Sequence, residues 1–219
     1  MKKNILNLTA IALIATASVF TGCKKDDTTA PVVTVTGGDQ TISLNGTYTE
    51  LGATAEDDKD GTLTVSVSGT VNEDLADTYT ITYTATDAAG NVGTATRTVY
   101  VQNDAYDWAG TYSVLDTCSG PLYFSYSQIV TASTTENNKI MFNKFADYSN
   151  NGNIYATVAP NGLTATLPGQ TATGIGSAVE SHTFSGSAVK TATGFRLTYT
   201  DVNNSAGGAS ATCNATFTK

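Results

Sequence analysis

The 219-residue chain reads as all-β, a β-sandwich followed by a small antiparallel β-barrel or second sandwich of about eight strands. Three observations predict this. Thr, Ser, Gly, Val and Tyr dominate while Leu, Glu and Lys are sparse, a composition with little support for helix. Apolar positions alternate with threonines over long stretches, the period-two pattern of half-buried strands. Aromatic usage changes near residue 104: residues 28–103 hold four tyrosines and no Phe or Trp, whereas residues 104–219 hold Trp108, seven tyrosines and six phenylalanines. Two cores of different filling, 30–103 and 104–219, follow from that split, joined at the short polar seam Gln102-Asn103-Asp104-Ala105.

The chain opens with Lys2 and Lys3, an apolar run from Ile5 to Phe20, and then Phe20-Thr21-Gly22-Cys23. The run is too short and too rich in Ala, Thr and Ser to span ~30 Å of hydrocarbon, so residues 1–22 read as a processed leader. Small residues before a cysteine at this place resemble the lipobox of bacterial lipoproteins. The resemblance implies cleavage before Cys23 and acylation of its thiol. It implies a membrane anchor with several acyl chains, since one chain alone holds weakly. Residues 23–29 form the tether. Within it, Lys24-Lys25-Asp26-Asp27 resembles the Lys-then-acidic signal that sends Bacteroidota lipoproteins to the outer face of the outer membrane. A solvated spacer is the plainer reading of the same charges. Asp27-Thr28-Thr29 is similar to the acceptor triplet for O-glycosylation in those bacteria.

Removing the leader takes two lysines from a chain with 11 basic and 19 acidic residues, which leaves a mature net charge of −10. Such a surface disfavours nucleic acid and anionic lipid. With Cys23 given to lipid, Cys118 and Cys213 remain, and in an oxidising compartment they most simply pair. The bridge would close a loop of about 95 residues and contribute ~4–5 kcal/mol in the chain-entropy model. Two buried thiols are the alternative.

In the first unit, Val32–Thr36, Gln40–Leu44 and Leu63–Ser68 are short strand-like runs. Tyr79, Ile81, Tyr83 and Ala85 share one face, and a turn at Asp87-Ala88-Ala89-Gly90-Asn91 leads into Ala95, Arg97, Val99 and Val101, which predicts a hairpin. Ala30-Pro31-Val32-Val33-Thr34-Val35, Tyr48-Thr49-Glu50-Leu51-Gly52-Ala53-Thr54-Ala55, Asp60-Gly61 and the run Thr78–Asp87 with Gly90-Asn91 together resemble a bacterial Ig-like domain. This is the domain-of-unknown-function 5011 group, also found in a pesticidal crystal protein. The resemblance implies a sandwich that spaces or presents other domains on cell surfaces, without catalysis.

The loop Glu56-Asp57-Asp58-Lys59-Asp60 is denser in acid than that resemblance leads one to expect. Asp57, Asp58, Asp60 and Asp87 offer hard oxygen ligands to Ca²⁺. The spacing is not that of an EF-hand, Lys59 repels a cation, and acidic turns commonly serve solubility and backbone capping instead. No other cofactor is expected.

In the second unit, strand-like runs cover Thr111–Leu115, Leu122–Ala132, Lys139–Phe145, Asn153–Val158, Leu163–Leu167, Ser181–Ser185, Phe195–Thr200 and Ala209–Thr218. Asn137-Asn138, Asn150-Asn151-Gly152 and Pro160-Asn161-Gly162 punctuate them. A Cys118–Cys213 bridge would tie first strand to last, as closure of a barrel requires. Trp108-Ala109-Gly110-Thr111-Tyr112 resembles the opening strand of lipocalin-type barrels, although the lipocalin order places Gly before Trp. The whole segment is more similar to an uncharacterised C-terminal domain of Bacteroidota lipoproteins.

No catalytic constellation stands out. His182 is the one histidine and reads as structural; no Gly-x-Ser-x-Gly elbow accompanies it. One His with two bridged cysteines cannot close a zinc site. Rings in excess of the core are free to stack on sugars or on a partner protein, and Tyr123, Tyr126, Tyr148 and Tyr155 are the first to consider. The expectation is a surface lipoprotein with a non-catalytic recognition or adhesion role towards a glycan, a matrix polymer or a surface protein. A carrier with an apolar ligand inside a hollow barrel is the alternative, and a hydrolase with unpaired acids stands behind it.

Overall fold

The computed structural model describes residues 26–119, 123–146, 154–175, 180–205 and 207–219. The leader, Cys23, Lys24, Lys25, Tyr148 and the Asn150-Asn151-Gly152 turn lie outside the described residues. The chain is all-β, and among the described residues no helix is long and apolar enough to cross a membrane.

Seven strands form the first unit: β1 (Val32–Val35), β2 (Gln40–Ser43), β3 (Ala53–Asp57), β4 (Gly61–Leu63), β5 (Ser66–Ser68), β6 (Asp77–Thr86) and β7 (Val92–Gln102). One sheet runs β1-β3-β4 and the other β2-β7-β6-β5, so the chain switches sheets between β1 and β2. Strand β2 lies parallel to β7, with Gln40 opposite Val99 and Ser43 opposite Gln102. The expected hairpin is present as β6 and β7, paired from Asp77–Val101 to Thr86–Val92. Strands β3 and β4 escape the hydrophobic pattern because the inward residues of β3 are Ala53, Ala55 and Asp57, too small or too polar to show an alternation.

The sandwich core is thin. Ile81, Tyr83 and Val99 are buried at its centre, with Val33, Val35, Ile42, Tyr48, Val65 and Val71 packed around them. Buried Arg97 takes the middle of β7, donating to the carbonyls of Gly38 (2.9 Å) and Thr36 and to Glu50.

After a 3₁₀ turn (Tyr106–Trp108), eight strands close a barrel: β8 (Gly110–Cys118), β9 (Tyr123–Ala132), β10 (Lys139–Phe142), β11 (Ile154–Val158), β12 (Thr164–Ile175), β13 (Glu180–Thr191), β14 (Gly194–Asn203) and β15 (Ala209–Thr218). All neighbours are antiparallel, and β15 returns to β8 with Cys213 opposite Cys118. The disulfide joins that pair, at a Cα separation of 3.9 Å. Strand β10 ends three residues earlier than the sequence pattern suggests. Asn143 Oδ1 accepts from Ile129 N and Gln128 Nε2 (2.9 and 2.8 Å), standing in for a ladder bond, and Phe145 turns into the barrel. Strands β12 and β13 are longer than expected. Pro168-Gly169 sits in a bulge between Leu167 and Gln170 instead of ending β12. Gly186 lies inside β13, where a Cβ would stand 2.2 Å from the Thr198 carbonyl oxygen.

The barrel is filled. Phe195 stacks on Phe217 at 4.1 Å, and Trp108, Tyr112, Phe142, Phe145, Phe184 and Tyr199 meet them and one another at centroid distances of 5.0 to 6.5 Å. Each such buried ring is worth roughly 1.5–3 kcal/mol of transfer free energy.

Candidate functional site

The seam between sandwich and barrel forms a concave surface, and Asn103 organises it. Its Nδ2 donates to the carbonyls of Ser133 and Glu136 (2.8 and 2.9 Å), and its Oδ1 accepts from the amides of Ala105 and Asn138 (both 2.9 Å). The β9–β10 loop thereby rests against the end of the sandwich. Ala76 N donates to Thr134 O (2.8 Å), Asn137 N to Asn45 Oδ1 (3.0 Å) and Asn137 Nδ2 to Asp104 Oδ2 (2.8 Å). With both amide ends of a buried Asn engaged, the two units meet across a hydrogen-bonded joint.

Beside this joint lies a groove of ≈ 510 Å³. Tyr100 from the end of β7 and Tyr106 from the 3₁₀ turn line it, together with Thr78, Gln102, Thr131 and Ser133. Both rings are exposed, Tyr106 at 61%. Ala76, Val101, Ala109, Val130 and Ala132 complete the lining, so its accessible surface is mostly apolar, and Asp77 is the acid in it. Sequence reasoning missed this pair because each ring belongs to a different unit. The signal available was Tyr106 beside a polar seam.

The tyrosines singled out from the sequence do not form one surface. Tyr123 is exposed at 73%, next to exposed Phe124 at the start of β9. Tyr126 points into the barrel instead, its hydroxyl 3.5 Å from Asp116 Oδ2, so its ring is not available on the outside. The period of β9 explains this: Tyr126, Gln128 and Val130 share the inward face. Tyr155 is half-buried, with the Lys139 ammonium 4.2 Å from its ring centre. Tyr148 lies outside the described residues.

The barrel interior is polar at the disulfide end. Asp116 is buried, and Tyr199 donates to its Oδ2 at 2.6 Å. Burial pushes the Asp116 carboxyl above its usual pKa, against the opposing pull of the Tyr199 and Tyr126 hydroxyls. His182 is also buried. Its Nδ1 lies 2.6 Å from Asp201 Oδ1 and its Nε2 3.2 Å from Glu180 Oε2. Burial alone would depress the imidazole, but the Asp201 and Glu180 carboxylates outweigh it and raise the pKa. A carboxylate beside each ring nitrogen favours the protonated imidazole over the neutral one.

At the other end of the sandwich, Asp57, at 8% exposure, closes β3, and buried Asp87 follows β6. Asp57 and Asp87 come together there, with Asp27 as the third acid: one carboxylate oxygen from each lies within 4.8 Å of the others. Asp58 is exposed, and Asp60 Oδ2 accepts from Ala88 N at 2.7 Å, so these two do not join the group.

Similarity to known proteins bears on the first unit. Residues 33–101 match the family described as bacterial surface protein, Ig-like domain. Among solved structures, the chain is similar to the lipoprotein BT2262 from Bacteroides thetaiotaomicron, at 18% identity over 86% of this chain and 100% of that one, TM-score 0.36. It is also similar to the CBM51-2 and INT domains of Clostridium perfringens ZmpB in complex with GlcNAc, at 14% identity over 86% of this chain and 44% of that one, TM-score 0.29. No curated protein matches the chain. A surface Ig-like domain at 33–101 fits a non-catalytic role at the bacterial surface.

Proposed function

We propose that this protein is a lipid-anchored recognition module of the bacterial exterior, and that it binds a neutral glycan in the groove between sandwich and barrel. The groove with Tyr100 and Tyr106 carries the reading. Exposed aromatic faces stack on the apolar faces of pyranose rings, while nearby hydroxyl and amide groups take the sugar hydroxyls. The acidic surface disfavours anionic polymers. A barrel core packed with rings supports recognition on an outer surface over carriage of an apolar ligand within. Acylation at Cys23 and display from the outer membrane complete the proposal.

The test is a glycan array on residues 24–219. Tyr100→Ala and Tyr106→Ala are each expected to weaken binding roughly five- to hundredfold, since one stacked ring is worth on the order of 1–3 kcal/mol. Tyr123→Ala is expected to leave binding unchanged. Loss with Tyr123→Ala alone would move the site to the barrel rim, and an array with no bound sugar would sink the glycan reading. Separately, Cys23→Ser is expected to stop processing and to free the protein from lipid.

A further inference from the structure

We propose that Asp27, Asp57 and Asp87 bind one Ca²⁺ that fastens the peptide behind the anchor to both sheets of the sandwich. The three acids come from three places: the segment before β1, the end of β3 in one sheet, and the turn after β6 in the other. One oxygen of each lies within 4.8 Å of the other two. Oxygens that share one Ca²⁺, each bonded at about 2.4 Å, stand at most about twice that distance apart, so the three acids can reach one ion together.

A second observation points to an ion. Asp57 is more than nine-tenths buried, and its Oδ2 is buried without a hydrogen-bond partner. Its sister oxygen Oδ1 accepts from the amides of Lys59 and Asp60, both at 2.9 Å, which fixes the carboxylate plane. A carboxylate oxygen held in place, shielded from water and left unpaired is a ligand in want of a cation. The surroundings are arranged likewise. Asn91 donates from its backbone and side chain to Asp87 (2.8 and 2.7 Å), and the same side chain reaches Asp27 O at 3.1 Å, so the tether already lies against the site. Lys59 Nζ sits 2.8 Å from Asp27 Oδ1. This partly exposed ammonium is a single positive charge against three carboxylates, and it can swing into solvent when a divalent ion arrives.

The donor set selects the ion. Oxygen ligands disfavour Zn²⁺, and a flexible trio completed by water suits Ca²⁺ better than the tight octahedron that Mg²⁺ demands. Asn91 precedes β7, whereas Gln102 ends it in the groove, so the ion site and the glycan groove occupy opposite ends of one strand. Lys24, Lys25 and Asp26 are the residues that separate Cys23 from the clamp.

Calorimetric titration of CaCl₂ into metal-stripped residues 24–219, produced without the leader and Cys23, tests the site. Saturable binding of one ion with Kd on the order of 10⁻⁴–10⁻³ M is expected, as for extracellular modules. Asp27→Ala and Asp87→Asn are each expected to weaken it at least tenfold. Asp27 precedes every strand, so its loss leaves folding intact, and circular dichroism checks both variants. Asp58→Asn is expected to bind as the parent does. No saturable binding up to about 5 mM, well above that range of Kd, overturns the proposal. So does an affinity unmoved by Asp27→Ala, or an equal loss in Asp58→Asn. The groove variants Tyr100→Ala and Tyr106→Ala leave this titration untouched, so the two readings fail independently.

Discussion

Arg97 Nη1 lies 2.6 Å from Glu50 Oε1, closing an ion pair between the fully buried middle of β7 and the segment before β3. The hydroxyls of Tyr48 and Tyr83 and the amide of Gly52 also donate to Glu50, at 2.5, 2.6 and 2.6 Å. In a core this thin, the network takes the place that leucines occupy elsewhere. Burial acts to raise the Glu50 pKa, but these donors and Arg97 prevail and bring it down from 4.5 to about 2.

The sign of the pH dependence follows. The folded carboxyl is the stronger acid, so its contribution is complete above pH 4.5 and fades as pH falls from there through about 2. Glu50 is about one-third exposed, and water screens part of the effect, so a loss of ~1–2 kcal/mol is expected across that range. Urea midpoints measured from pH 7 to 2 check this. Glu50→Gln is expected to be less stable at pH 7 and to lose that part of the slope.

Asp116 carries the opposite sign. Its pKa is raised by burial, so ionisation opposes folding as pH climbs past the unfolded value of 3.8. Its Oδ1 is buried without a partner. Asp116→Asn keeps an acceptor for Tyr199 and removes the charge. The variant is expected to melt higher than wild type at pH 7 and close to it at pH 3, as thermal scans would show. A lower melting temperature at pH 7 would mean that the charge stabilises the barrel.

Opening the Cys118–Cys213 bridge removes the covalent closure between β8 and β15. Cys118→Ala with Cys213→Ala is expected to cost ~4–5 kcal/mol by the loop-entropy argument. Reductant added to the wild type is expected to lower its melting temperature to match. Equal melting curves with and without reductant would contradict this.

Gly186→Ala is expected to destabilise the barrel by at least ~2 kcal/mol, because the new Cβ would meet the Thr198 carbonyl at 2.2 Å and Tyr199 Cα at 2.7 Å. Gly169→Ala, at the bulge in β12, meets nothing within 4 Å and is expected to be neutral. Chemical denaturation of the two variants side by side measures the contrast.

Much of the architecture is legible in the sequence because strand period is a local property. The β6–β7 hairpin and most barrel strands can be read from spacing, and the cysteine pairing follows from two thiols left in an exported chain. Arg97 can be placed on the inward face of β7, but its partner Glu50 lies 47 residues away, and no local pattern links them. Tyr126 defeats a reading by sequence because its inward parity emerges only once the register of β9 against β8 is known. The acid group gains Asp27 and sheds Asp58 and Asp60 for the same kind of reason, since proximity across two sheets leaves no trace in spacing. Tyr100 and Tyr106 form a groove only when Asn103 has set the two units against each other.

The parallel pairing of β2 with β7 sets how this molecule answers to force. A pull between the segment before β1 and the seam after β7 draws β2 from its N-terminal side and β7 from its C-terminal side. Those directions oppose each other along the strands, so the hydrogen bonds from Gln40–Val99 to Ser43–Gln102 are loaded together in shear instead of opening one at a time. A sandwich loaded in this way yields abruptly at one high force, not by gradual unzipping.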